Sequence, residues 1–195
     1  MRKKDKLVFG IGINDYEGSV NIDGKFIKSY KVWQSMLNRC YNEKFQERCP
    51  TYIGCSVADE WKYFSNFKKW FDTNYRGDLD NLGIRVELDK DLLIEGNKIY
   101  SSDNCVFLPN SVNSFLTNKQ KNNTSGYIGV YWNKQKNKWE AHIRDGYGKL
   151  KYLGCFINLK DASLAYQHGR ALRAMEIQEQ MRDWGYSESV INKIK

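Results

Sequence analysis

Ser125–Met175 reads SGYIGVYWNKQKNKWEAHIRDGYGKLKYLGCFINLKDASLAYQHGRALRAM. Three short runs rich in aromatic and β-branched residues are separated by polar turns carrying lysine or glycine, a pattern that predicts three strands. From Lys160 to Met175 the apolar spacing changes to three and four, which predicts one helix with Asn158 as its N-cap. Strand alternation sorts the sheet into two faces. Ile128, Val130 and Trp132 fall with Trp139, Ala141 and Ile143 on an apolar face, which Ala162, Ala165, Tyr166 and Leu172 of the helix would cover. Lys138, Glu140, His142 and Arg144 fall opposite. The outer face then presents Tyr131, Asn133, Lys138, His142, Arg144 and Tyr152. A solvated outer sheet is the plain alternative for such a face.

Four motifs in this stretch occur in a telling order: Gly126-Tyr-Ile-Gly-Val130, Lys138-Trp-x-Ala-x-Ile-Arg144, Tyr152-Leu-Gly-x-Phe156 and Asp161-Ala-x-x-Ala-Tyr166. In order and spacing they resemble the AP2-type DNA-binding domain, a three-stranded antiparallel sheet packed on a helix. That resemblance implies double-stranded DNA as partner, with the sheet face contacting bases and phosphates from the major groove. Arg144 matches the family pattern well. Tyr152 stands where tryptophan is usual, and Tyr131 and Asn133 replace family arginines, so the family's preferred sequence does not carry over. Lys119, Lys121, Lys134, Lys136 and Lys149, in the linker and turns, suit phosphates. His168 sits on the helix with no chemistry assigned.

Charge follows the same division. Residues 118–195 carry 14 basic and 7 acidic side chains, a net +7, whereas residues 1–117 carry 17 and 16, a net +1. A basic module joined to a near-neutral one is the pattern of a polyanion binder attached to something else. Between them, Thr117–Gly126 holds ten polar or glycine residues and reads as a linker. The expected organisation is a domain over 1–117, a basic linker over 118–126, the sheet-and-helix domain over 127–175 and a helical tail over 176–195, broken near Gly185. No apolar run reaches the roughly 18 residues of a membrane span, and MRKKDKLVFGIGIND lacks the apolar core of a signal peptide. The expected location is the cytoplasm. The five cysteines are odd in number and form no CxxC pair, which argues against a disulfide framework or a structural zinc site.

In the first domain, Asp23-Gly24 marks a turn in a short hairpin. Val32, Trp33, Met36, Leu37, Cys40 and Tyr41 share one face of a helix over Tyr30–Asn42. Trp61, Phe64, Phe67, Trp70 and Phe71 do the same for a second helix over about Asp59–Thr73. Both stripes read as core. Val86–Leu93 and Tyr100–Leu108 read as strands around a Gly96-Asn97 turn, followed by a short helix over Asn110–Phe115.

This last region, VELDKDLLIEGNKIYSSDNCVFLPNSVNSF, is preceded by Trp33-x-x-Met36-x-x-Arg39-Cys40-Tyr41 and Trp61-x-x-Phe64-x-x-Phe67. Together they resemble the HNH (ββα-metal) nuclease domain found in a group of bacteriophage proteins. The resemblance implies an α+β chain that hydrolyses DNA phosphodiesters in the cytoplasm of a bacterial host cell. Asp89 and Asn113 would hold Mg²⁺ or another divalent cation, and Asn104 would tie the loop to the hairpin. The general base departs from the pattern, because Lys90 occupies the position of the family's first histidine. A lysine is protonated at neutral pH and cannot accept a proton unless burial lowers its pKa sharply. Beside Asp89 and Asp91 its charged form is favoured instead. The chain's histidines, His142 and His168, both lie in the other domain. Two readings follow: a homing-type nuclease working without a dedicated base, or a catalytically inactive protein that binds DNA or blocks a host protein. A chance resemblance, with these acids merely on the surface, is a third.

Overall fold

The computed structural model describes residues 7–116, 125–145 and 148–195. The chain is mixed α+β and divides into two compact units, Met1–Leu108 and Pro109–Lys195.

The first unit opens with isolated bridges, then the hairpin β1 (Asn21–Ile22) and β2 (Lys25–Phe26). Asp23 and Gly24 both take positive φ, 49° and 76°, as a two-residue type I′ turn requires. Helix α1 spans Lys28–Tyr41 and buries Trp33, Met36, Leu37 and Cys40 of the expected stripe, with Tyr30 in addition, while Val32 and Tyr41 are half-buried. Asn42 ends it and starts α2 (Glu43–Arg48) by accepting a hydrogen bond from the Phe45 N–H. A 3₁₀ turn at Pro50–Tyr52 leads to β3 (Ser56–Val57).

The second expected helix is interrupted. Asp59–Lys62 is a 3₁₀ turn, Tyr63 is extended, and α3 covers Phe64–Asn74. The break has a physical cause. Ile13 donates its N–H to the Lys62 carbonyl and accepts from the Phe64 N–H, which draws Tyr63 into a parallel bridge. Around it lies an aromatic core. Trp33 packs against Tyr30 and Phe64, Trp61 against Phe67 and Trp70, and Phe107 against Trp70 and Phe71. Gly12 lies so close to this core that a Cβ would come within 2.4 Å of Leu37 and 2.8 Å of Trp33.

After α4 (Gly77–Asn81) come β4 (Val86–Asp89), β5 (Ile99–Tyr100) and β6 (Val106–Pro109). The simple hairpin expected over 86–108 does not form. β4 pairs with β6, while β5 leaves to pair in parallel with β3, Ser56 opposite Ile99 and Val57 opposite Tyr100. β4 stops at Asp89 because that side chain accepts the Asp91 and Leu92 N–H groups and turns the chain out of the sheet.

The second unit begins with α5 (Asn110–Leu116). β7 (Val130–Asn133), β8 (Lys138–Arg144) and β9 (Leu150–Phe156) form an antiparallel sheet in that order. Helix α6 (Leu159–Asp183) packs on it. Val130, Ala141 and Ala162 are the buried centre, enclosed by Trp139, Leu153, Phe156, Leu159, Ala165 and Tyr166. Leu172, expected to cover the sheet, is 49% exposed. Gly129 takes a φ of 68°, and a Cβ there would stand 2.5 Å from the His142 carbonyl and closer still to the Tyr166 ring. Asn158 occupies the N-cap position, but its amide bonds the Asp161 carboxylate and no side-chain cap forms.

The helix does not stop near Met175 as expected; it runs unbroken to Asp183. Gly185, at φ 73°, ends it in a Schellman motif, with Tyr186 N–H bonded to the Met181 carbonyl and Gly185 N–H to that of Arg182. The chain then folds back through α7 (Glu188–Ile191), burying Val190, Ile191 and Ile194 with Ile177 and Met181. Gln178 fastens the return by donating to the Ile194 carbonyl at 2.9 Å. Arg170 lies over the Phe115 ring and donates to the Phe115 and Lys195 carbonyls, which ties α5 and residue 195 to α6. Among the described residues no helix is long and apolar enough to cross a membrane.

Candidate nucleic-acid interface and candidate metal site

β7, β8 and β9 bring Tyr131, Asn133, Lys138, His142, Arg144 and Tyr152 onto one sheet, with Lys134 and Lys136 in the turn between the first two strands. Lys119 and Lys121, and most of the linker, lie outside the described residues. Lys134, Lys138, Arg144, Lys149 and Tyr152 are exposed. Arg144 Nη1 donates to the Gly148 carbonyl at 2.9 Å, which holds the guanidinium near the β8–β9 turn.

The organiser of this face is Glu140, a residue that sequence reasoning passed over. Its side chain is only 6% exposed. Oε1 accepts from Lys136 Nζ at 2.7 Å and from Asn133 Nδ2 at 3.1 Å, and Oε2 lies 3.4 Å from His142 Nε2. His142 Nε2 is also 2.6 Å from the Tyr131 hydroxyl. The bond from Lys136, with further donors at His142 and Tyr131, holds the Glu140 carboxyl down to about 2. The Tyr131 phenol is pushed up by desolvation and by Glu140. Asn133 is committed at both ends, because its Oδ1 accepts the Gln135 and Lys136 N–H groups while its Nδ2 serves Glu140. A free asparagine amide could pair with adenine; this one holds the turn. The signal for Glu140 was present in its strand parity with His142 and Lys138, but an acid on a basic face carried no positive weight.

The Glu140 shift fixes the sign of a pH effect. Its folded value lies below the unfolded 4.5, so the ionised carboxylate favours the folded unit above about pH 4.5, and that contribution disappears as pH falls towards 2. Circular dichroism across this window should show Glu140→Gln losing less stability on acidification than the parent chain. Parallel profiles would rule out the carboxylate as a source of acid sensitivity.

In the first unit, Asp89 is half-buried, and desolvation raises its pKa despite the Leu92 and Asp91 N–H groups it accepts. Lys90 is buried, its side chain 6% exposed. Its ammonium contacts Asp91 Oδ1 at 2.5 Å and the Asn97 carbonyl at 2.7 Å, and lies over the Tyr100 ring. The group standing at the expected base position is thus bonded as a structural cation. The loop-tying role expected of Asn104 falls mostly to Asn97. Asn97 Nδ2 donates to the Lys90 and Ile99 carbonyls and its Oδ1 accepts the Ile99 N–H, while Asn104 adds one bond of 3.5 Å to the same oxygen. Asn97 was legible only as a turn residue after Gly96.

Asn113 lies on α5 in the second unit, whereas Asp89 lies in the first. A divalent ion on Asp89 would share its surroundings with the Lys90 ammonium, close enough to act on Asp89's ionisation and repulsive to a second cation. Among the described residues, no three His, Cys, Asp or Glu side chains converge as metal ligands would. The buried thiols of Cys40 and Cys105 are pushed up to about 12 by desolvation and are poor thiolate ligands. No family model matches the chain, and no curated protein or solved structure matches it either.

Proposed function

We propose that this chain is a DNA-binding protein of the bacteriophage HNH-like group, with the β7–β9 sheet as an AP2-type reader of double-stranded DNA and a first unit that serves without catalysis. The observation that carries the reading is the outer sheet face, where exposed Tyr131, Tyr152, Lys138 and Arg144 surround a Lys136–Glu140–His142 network. A merely solvated sheet has no need of so ordered a set of side chains. The net +7 of residues 118–195 supplies the attraction for phosphates. The non-catalytic role of the first unit rests on Lys90, whose bonds to Asp91 and Asn97 leave the family's base position without a proton acceptor.

Two measurements test it. Binding to duplex DNA should weaken steeply with salt, with a log–log slope of about −4.5 if about five phosphates are neutralised, and Arg144→Ala should weaken it. Supercoiled plasmid incubated with Mg²⁺ or Mn²⁺ should stay intact. Cutting that Asp89→Ala abolishes would instead establish the nuclease, with Asp89 and Asn113 as the residues to examine for the ion. Absence of any salt-sensitive binding would leave a protein-blocking role, with a host protein as partner.

A further inference from the structure

The outer sheet face carries a continuous row of rings, one from each strand. Tyr131 on β7 lies 4.9 Å from His142 on β8, tilted at 32°, and the largely covered His142 ring meets Tyr152 on β9 edge-on, at 5.2 Å and 70°. Tyr131 is 41% and Tyr152 51% exposed. The row is held in place: Tyr131 and His142 are hydrogen-bonded, His142 faces Glu140, and the Lys136 ammonium lies 5.7 Å from the centre of the Tyr152 ring. Meanwhile the Asn133 amide, one of the face's candidates for pairing with base edges, is bonded within the protein.

Exposed rings spaced across a sheet and bordered by lysines are suited to the flat faces of bases that have left the stack, because every base has a π-face and the lysines can follow the backbone. Base edges inside an intact duplex offer no such faces. We infer that this face holds unstacked nucleotides, and therefore binds nucleic acid with a single-stranded stretch in preference to a fully paired duplex. The inference rests on the reading of this sheet as a nucleic-acid surface and names the form of nucleic acid it takes. Lys134, Lys136 and Lys138 place positive charge along one side of the row, and Arg144 lies at the far end of β8.

The experiment is fluorescence anisotropy with the full chain and two duplexes of about 30 base pairs, identical except for a central bubble of about six unpaired thymidines, a length within one single-strand site. The bubbled duplex should bind at least about fivefold more tightly, the gain expected from stacking one base. Tyr131→Ala and Tyr152→Ala should bring the ratio of the two affinities towards one, whereas Tyr152→Phe, which keeps the ring and leaves the Tyr131–His142 hydrogen bond in place, should preserve it. Oligothymidylate and oligouridylate arms then assign the preferred strand to DNA or RNA, and tight binding of either supports stacking. Equal, salt-sensitive affinity for both duplexes would overturn the inference and leave the duplex reader standing. No salt-sensitive binding to any of these probes would overturn both.

Discussion

Trp33→Ala should lower the unfolding free energy of the first unit by about 3–5 kcal/mol. Trp33 is fully buried, touches the rings of Tyr30 and Phe64, and donates its indole N–H to the Trp61 carbonyl at 2.7 Å. Truncation therefore opens a cavity in the middle of the aromatic cluster and strands a buried carbonyl at the same time. Each consequence is costly alone, the second by about 1–3 kcal/mol. Against a typical stability of about 5–15 kcal/mol, the variant stands close to unfolding at ordinary temperature. Trp33→Phe separates the two effects, since it refills most of the space without restoring the donor, and should recover part of the loss. Urea unfolding followed by far-ultraviolet circular dichroism gives both numbers. A loss below about 1 kcal/mol for the alanine variant would mean that α1 is not anchored through this ring.

Glu140→Ala should weaken nucleic-acid binding about tenfold, although it makes the chain more positive. Two effects oppose one another. Deleting a negative charge from a basic face favours phosphate, but salt screens charges at a wet surface beyond about 8–10 Å. In the other direction, Lys136, Asn133 and His142 lose the carboxylate that faces all three. Re-ordering each freed side chain on binding costs about 0.5–1.5 kcal/mol. Three such costs outweigh one screened charge, so the loss of order wins. Glu140→Gln, which keeps an acceptor but not the charge, should fall between the two. Anisotropy titrations at two salt concentrations decide the matter. Tighter binding by Glu140→Ala would reduce Glu140 to a repulsive charge and remove the case for a pre-ordered face.

Spacing alone exposed what depends on spacing. The central stripes of α1 and α3 and the Asp23-Gly24 turn follow from residue periods and backbone preference, although Trp61 falls in the 3₁₀ turn before α3 and Val32 and Tyr41 of α1 are only half-buried. The misses arose where a distant partner overrides the local pattern. Tyr63 looks helical until Ile13 bridges to it. Residues 90–98 look like strand and turn until the Asp89 carboxylate takes the Asp91 and Leu92 N–H groups and Lys90 and Asn97 bond each other. The continuity of α6 through Met175 was hidden because its apolar face changes partner along its length: sheet residues near Ala162, and the returning chain near Ile177 and Met181. At the sheet face, strand parity identified which side chains share a surface but not that Glu140 would bond across to the turn and to the neighbouring residue.

The shared carboxylate of Glu140 also bears on how such a surface could change over generations. Asn133, Lys136 and His142 all face one acceptor, so a substitution at any of them disturbs the other two, and neutral single steps across this part of the sheet are scarce. Lys134 and Lys138 stand outside that bonded set and are exposed. A lineage acquiring a new target would vary first at these periphery positions, keeping the centre as an inherited block.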